Sequence, residues 1–386
     1  MAILVINAGS SSLKVAIIDP VTGKRLLTAL AERLGSTEAT LRIDGGDTQQ
    51  LIDASAAGAL AQLIPRLSGS NLALIGVGHR VVHGGEQFTD ATIIDDAVCR
   101  AIENVARLAP LHNPANLAVI LATRQLFPHL PHVAVFDTAF HQTMPPAAWR
   151  YAVPESWYLE HGVRRYGFHG TSHRYVAMRA AEILGRPLAD LALITAHLGN
   201  GCSATAILGG RSVDTTMGMT PLAGLVMGTR CGDLDPGIIA HLTEVTGQSV
   251  TAITKALNGA SGLLGLSGLS NDMRTITTEA AKGHQGAELA LTVFCYCLAK
   301  NIAALMVALG RLDALVFTGG IGEHSAVVRS RTLKHLAFLG LSEDPVNNAQ
   351  HGDHRGQITA SGSTIAMVVP TDEELLIARD TNRLVG

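Results

Sequence analysis

A chain of 386 residues, 47% hydrophobic and only 4% aromatic, suits two domains with aliphatic α/β interiors, and its 40 glycines point to many tight turns. Its net charge of −3, with no basic block, argues against nucleic acid and anionic membrane as partners. Local positive charge must therefore come from individually placed arginines.

The chain opens on ILVINAGSSSLKVAII from Ile3, two apolar strands joined by a turn of glycine and small polar residues. The pattern returns as ALITAHLGNGCSATAIL from Ala192, and with Gly9 laid on Gly199 the apolar runs coincide. Such a turn directs several backbone N–H groups into one concavity, a ready anion site. Two of them predict two related domains gripping a polyphosphate, a nucleotide cleft that is not a P-loop. Further strands are predicted at 73–77, 132–136, 191–196, 314–318 and 364–369, and helices at 115–127, 172–184, 286–309 and 373–379. Their alternation predicts an α/β fold. Asn113 before Pro114 reads as a helix N-cap, and Thr371 with Glu374 as a capping box. Prolines cluster at 144–154, after the strand that ends in Asp137, and mark a change of domain. The polar stretch 342–363 reads as a loop or irregular hairpin. Five scattered cysteines without a CxxC suit reduced thiols and a cytoplasmic location. Neither a signal peptide nor a membrane span is expected, since the N-terminus runs into a strand without a basic region and the apolar stretch 289–309 contains Lys300 and Asn301.

The unusual turns carry the chemistry. GHRVVHGGE from Gly78 puts Arg80 and His83 at a strand end, although Arg80 also reads as a solvated surface arginine. VAVFDTAFH ends a strand in Asp137, where α/β sheets collect ligands, or where an N-cap would serve the next helix. RYGFHGTSH holds His169 and His173 four apart; the glycine between them speaks against zinc. Anion binding by His169 fits better, because Thr171 and Ser172 start a helix. The aperiodic, glycine-rich 220–236 surrounds Arg230. GGIGEHS from Gly319 follows a strand and opens a helix, allowing backbone to approach a flat ring or sugar. GNGCSA from Gly199 satisfies a dinucleotide fingerprint but leads into a strand, which removes the Rossmann reading.

INAGSSSLK, HRVVHGGE, LAPLHNPAN, FDTAFH, RYGFHGTSH, HLGNG, PLAGLVMGTRCGDLDP, SNDMR, FTGGIGEHS and PTDEELLIARD, taken in order, closely resemble the acetate kinase family, from Ile6 to Arg379. The resemblance implies two actin/Hsp70-like (RNase H-like) domains, 1–141 plus 375–386 for acyl substrate and phosphate, and 142–374 for nucleotide and dimerisation. It implies reversible transfer of the ATP γ-phosphoryl group to acetate, with Mg²⁺ or Mn²⁺, in a cytoplasmic homodimer. By motif match, Arg80 holds the carboxylate in an acyl pocket of Val82, Leu111, Phe168 and Pro221. Arg230, His169 and Asn200 stabilise the transferring phosphoryl group, with His112 and His197 in support. Asp137 and Glu373, with Asn7, organise the metal. Asn7, Ser10, Ser12 and Lys14 face phosphates, as do His197, Leu198, Gly199, Asn200 and Gly201. Asp272, Met273, Arg274, Gly320, Ile321, Gly322 and His324 match the nucleotide pocket. His324 stands where the family commonly has asparagine, and Cys231, where serine is common, is expected to add a reactive thiol. Val82 favours acetate over propionate, since propionate-preferring relatives tend to be smaller there. Outside this family, the same fold supports nucleotide-driven scaffolds and chaperones that do not phosphorylate a carboxylate.

Overall fold

Each strand–turn–strand copy closes as an antiparallel hairpin in the computed structural model, which describes residues 1–9, 11–68, 73–110 and 112–386. Ser10 and Leu111 of the expected site lie outside the described residues. The chain forms two compact units, Met1–Gln142 with Asp372–Gly386, and Thr143–Thr371. In the first, β1 (Ala2–Ala8), β2 (Ser12–Ile18), β3 (Arg25–Glu32), β4 (Thr40–Ile43), β5 (Gln49–Gln50), β6 (Leu74–Val81), β7 (Thr92–Ile93) and β8 (His132–Phe136) form one sheet in the order β5-β4-β3-β2-β1-β6-β8-β7. In the second, β9 (Ala192–Leu198), β10 (Cys202–Leu208), β11 (Arg211–Thr215), β12 (Ala314–Thr318) and β13 (Ile365–Val368) run β11-β10-β9-β12-β13.

The duplication extends well beyond the hairpins. β3-β2-β1-β6-β8 matches β11-β10-β9-β12-β13 strand for strand, with the first three antiparallel and the last two parallel in each unit. Repeating hydrophobic strands of this kind, buried on both faces, read as continuous apolar runs. ALVFT of β12 and HVAVF of β8 are buried at every position.

Glycines set the helix packing on the first sheet. A Cβ on Gly78 would stand 2.4 Å from Thr381 Oγ1 and 2.7 Å from Ile377, so only glycine lets the helix Glu373–Val385 lie against β6. That packing carries the start of the helix, and Glu373 with it, to the ligand-collecting end of the sheet. The helix is capped by Asp372, whose carboxylate accepts from Leu375 N, and not by Thr371; the Thr371 hydroxyl instead hydrogen-bonds Ser172 Oγ at 2.8 Å. The cap expected at Asn113 also moves: the helix Asn113–Leu126 already includes it and His112 is the N-cap. The buried Asn113 amide is used elsewhere, accepting from His83 N and donating to His83 O. Its neighbour Asn116 accepts from Val82 N and donates to Ala8 O, tying the turn after β6 to the end of β1. The stretch 342–363 is more ordered than a loop, with a short helix Pro345–Ala349 capped by Asp344 and bridges Glu343–Thr359 and Gln357–Met367.

The helix Gln285–Leu309 is long and apolar enough to cross a bilayer by composition alone. Here Ala287, Leu291, Phe294, Leu298, Ile302 and Leu305 are among the side chains it buries in the core of its unit.

Three of the buried histidines of the first unit, His79, His83 and His132, are held neutral by burial. His132 Nε2 donates to the Phe127 carbonyl (3.2 Å) and its Nδ1 accepts from His79 Nε2 at 3.0 Å, the pattern of a neutral His132 ring. Burial lowers the His83 imidazole from its ordinary 6.5 to about 4, and lowers His79 and His132 too. A histidine held neutral in the fold takes up its proton first in the unfolded chain. Its contribution is therefore whole above pH 6.5 and is lost as pH falls toward 4. For His83 alone the loss is of order 3 kcal/mol. The unfolding midpoint in urea, followed from pH 7 to pH 4.5, is expected to fall through this window, and a flat profile would contradict the assignment.

Candidate active site

In the first unit the site is built where three parallel strands end. Asn7 and Arg80 are register partners on β1 and β6, and Asp137 directly follows β8, its N–H bonded to Val81 O. Arg80 is thus no solvated surface arginine. Its guanidinium grips Asp137 side-on, Nε to Oδ1 at 3.0 Å and Nη2 to Oδ2 at 2.6 Å, and donates through Nη1 to Asn7 Oδ1 at 3.0 Å. Two of its five N–H donors are left by these bonds. Asp137 in turn is an arginine partner and not a helix cap. Burial pushes its carboxyl above the ordinary aspartate value, Arg80 pulls it back down, and Glu373 raises it. Arg80, though burial alone would lower it, is held higher by Asp137 and Glu373. Two carboxylates around one guanidinium leave one negative charge in excess, which an added cation would balance. His112 also acts electrostatically on Asp137. Lys14 pairs across from Asn7 and is exposed; Ser12 O accepts from Gly9 N in the turn. Val82 is buried directly after β6.

In the second unit the turn Gly199–Gly201 joins β9 to β10, Gly199 N bonding Gly201 O. A Cβ on Gly201 would meet Arg230 Nη2 at 3.1 Å and the His169 ring at 3.4 Å, so glycine is what lets a guanidinium and an imidazole close on this turn. Gly228 is more tightly constrained, since a Cβ there would stand 2.0 Å from Asn200 Oδ1. His169 is the N-cap of the helix Gly170–Leu184 in left-handed backbone, φ 58°, an uncommon conformation for a residue other than glycine. Its Nδ1 hydrogen-bonds Ser203 Oγ at 2.9 Å, and the same hydroxyl meets His173 Nε2 at 2.8 Å. His197 lies ring on ring with His169, centroids 4.4 Å apart, and its Nδ1 bonds Ser172 Oγ. Both imidazoles are therefore oriented by hydroxyls that fix Nδ1. Phe168 is buried before them, and Pro221 O accepts from Arg230 Nη1 at 2.6 Å.

Arg230 stands out electrostatically. Burial lowers its pKa from the ordinary value, and among the described residues no carboxylate pairs with it. A largely desolvated cation with one neutral acceptor is costly unless an anion completes its surroundings. Cys231 beside it is the reverse of an activated thiol: burial raises its pKa, and Sγ donates to the Gly232 carbonyl.

A cavity of about 560 Å³ in the same unit brings together Gly199 and Asn200 of the turn, Asp272, Met273 and Arg274 at the next helix start, and Gly320, Ile321 and His324 after β12. Leu198 and Gly322 are buried and do not line it; they serve as backbone support, Leu198 packing under Gly319. Asn271 and Ser325, inside the motifs SNDMR and GGIGEHS but not singled out there, also line it, as does Thr277, which carries no signal in the sequence. Asn271 Nδ2 donates to Asn200 Oδ1 at 3.1 Å. Glu323, also unforeseen, accepts from Gly319 N and Thr371 N and so clamps the GGIGEHS turn. Among the described residues no three His, Cys, Asp or Glu side chains form a preformed metal cage.

Comparison with known proteins matches this arrangement to one family. A sequence model of the acetokinase family covers residues 2–379. The chain is 55% identical to the acetate kinase of Deinococcus radiodurans over 99% of its own length and 98% of that protein. Among solved structures, it superimposes on a propionate kinase from Francisella tularensis with a TM-score of 0.95 at 44% identity, covering 99% of both chains. The acetate kinase of Porphyromonas gingivalis follows with 0.94 at 40%, covering 100% of both. The two duplicated α/β units are thus the actin/Hsp70-type fold of these kinases. With its motifs, its fold and nearly its whole length in agreement, the chain belongs to the acetokinase family.

Proposed function

We propose that this protein is an acetate kinase, transferring the γ-phosphoryl group of ATP to acetate, reversibly and by direct in-line attack, to give acetyl phosphate and ADP. The observation that carries the proposal is Arg230, a largely buried guanidinium without a carboxylate partner, set with His169 against a glycine turn beside a nucleotide-sized cavity. The acetate nucleophile is ionised at neutral pH, so no general base is needed. The obstacle is charge: two anions about 4 Å apart repel by roughly 4 kcal/mol at an effective dielectric near 20. Positioning and neutralisation must do the work.

Arg80 holds the acetate carboxylate with the donors that Asp137 and Asn7 leave unused, and Val82, Phe168, Pro221 and Leu111 are the residues that receive the acyl methyl. Asp137 keeps Arg80 in one orientation. Arg230 and His169 meet the phosphoryl oxygens as charge spreads over them, aided by Asn200 and the backbone N–H groups of Gly199–Gly201, with His112 and His197 in support. Lys14, Ser10 and Ser12 serve the phosphates from the first turn, and His197, Leu198 and the second turn from the other. Asp272, Met273, Arg274 and the run Gly320–Gly322 with His324 receive the nucleoside. Asp137, Glu373 and Asn7 are the residues that would hold magnesium or manganese; their excess negative charge fits a hard cation that keeps water and phosphate oxygens as its other ligands. When bound, that ion supplies neutralisation of the phosphate charge.

The working form is a homodimer in the cytoplasm. The helix Gln285–Leu309 supports pairing, since Leu289, Tyr296 and Val307 are exposed along its outer face, and the five free thiols suit a reducing compartment. Domain limits of 1–141 plus 375–386 and 142–374 divide acyl from nucleotide binding.

Trapping the acyl phosphate as its hydroxamate, with ATP and Mg²⁺ across formate, acetate, propionate and butyrate, tests the assignment. Acetate is expected to give the highest kcat/KM. One methylene in an apolar pocket shifts preference about 10- to 200-fold. A propionate optimum would keep the chemistry and overturn the role given to Val82, and no acyl phosphate with any acid would favour a scaffold.

A further inference from the structure

Arg329 is fully buried in the second unit, yet among the described residues no carboxylate hydrogen-bonds it. Its five N–H donors are taken up instead by Asn348 Oδ1 and O, by the carbonyls of Gly322 and Glu323, and by His351 Nδ1. It therefore fastens the end of the Gly319–His324 helix, which lines the nucleotide-sized cavity, to the turn after the helix Pro345–Ala349. An arginine can only donate, so His351 Nδ1 must be the acceptor and the ring proton must sit on Nε2. The neutral ring so defined meets the cavity-lining His324 edge-on, centroids 5.7 Å apart and planes at 85°. Burial, then Arg329, lowers the His351 pKa, in keeping with that neutral tautomer.

The backbone adds an independent sign. His351 has φ 63° in the left-handed region, where glycine or asparagine would be cheaper. The very next residue, Gly352, has φ 110°, and a Cβ there would also stand 2.3 Å from the Gly356 carbonyl carbon. His351 thus carries its ring on a backbone that would cost less with glycine or asparagine.

We propose that His351 is a positioning residue for nucleobase recognition: held by Arg329, it fixes the ring of His324 against the purine of the bound nucleotide. The proposal rests on the nucleotide reading of this cavity. The experiment uses His351→Asn, which tolerates the left-handed backbone and still offers Arg329 an acceptor, with His351→Gly as the second variant. Dissociation constants for ADP and for IDP, which differ in the purine 6-substituent, are measured by titration calorimetry on the wild type and both variants, together with KM and kcat for ATP. Loss of one oriented ring contact is expected to weaken ADP about 3- to 10-fold, to fall on KM for ATP more than on kcat, and to narrow the ADP/IDP ratio in both variants. Unchanged affinities, or equal weakening of ADP and IDP with the ratio preserved, would overturn the proposal while leaving the nucleotide site intact. Failure of the wild type to bind either nucleotide would overturn the nucleotide reading itself, and this proposal with it.

Discussion

Arg230→Ala is expected to lower kcat by about 10³- to 10⁵-fold, the cost of removing an arginine that meets transition-state charge on a transferring phosphoryl group. The reason lies in what Arg230 lacks. Its one hydrogen bond runs to the Pro221 carbonyl, and burial works against its charge. The guanidinium is thus placed where it does not serve the resting protein, and the anion that completes it must arrive with substrate. The same reasoning sets the sign of the stability change. Removing a desolvated cation without a carboxylate partner relieves a cost, so the variant should melt at or above the wild-type temperature. Arg230→Lys should recover little activity, because a point charge does not reproduce a planar fork. Hydroxamate kinetics and thermal unfolding test both statements. A kcat within tenfold of wild type would remove Arg230 from the transition state.

Asp137→Asn should fail in the opposite way, losing activity and stability together. Asp137 binds Arg80 with both oxygens, and the substitution turns one of them toward Arg80 as an NH₂ donor. A buried guanidinium left without its carboxylate typically costs about 3–5 kcal/mol of stability. Arg80 would then swing out of its fork, and a displacement near 1 Å is enough for a loss of about 100-fold in kcat/KM for acetate. The concentration of Mg²⁺ at half-maximal rate should rise as well, because the charge that would attract the ion has fallen. Normal melting with a normal Mg²⁺ requirement would show that Asp137 neither anchors Arg80 nor serves the metal. The contrast between the two variants is itself diagnostic: one arginine is completed by the protein, the other waits for ligand.

Much of this organisation was legible along the chain. The strands at 132–136 and 314–318 coincide with β8 and β12, because runs of β-branched and aliphatic residues bounded by turns have few alternatives. The duplication was legible from the two hairpins alone, and the matched sheet orders extend it to five strands on each side. The glycines at 78, 201 and 228 were visible as letters, but their purpose was not, since each makes room for an atom far away in sequence.

Caps were read less well, for a related reason. Asn113 and Thr371 have the chemistry of N-caps, but each found a stronger tertiary partner, the His83 backbone and Ser172, and left the helix start to a neighbour. Cys231 likewise looked reactive beside an arginine until burial was known. Arg329 and His351 gave no signal at all, and Asn271 and Glu323 none beyond standing inside SNDMR and GGIGEHS, because an amide, a carboxylate or a ring becomes part of a site only through what it faces. Local pattern thus determined the strands and the two strand–turn–strand copies, and the ordered motifs the family resemblance. Only the tertiary structure decided which charges are paired and which are left for a substrate, because pairing depends on burial and on partners hundreds of residues apart.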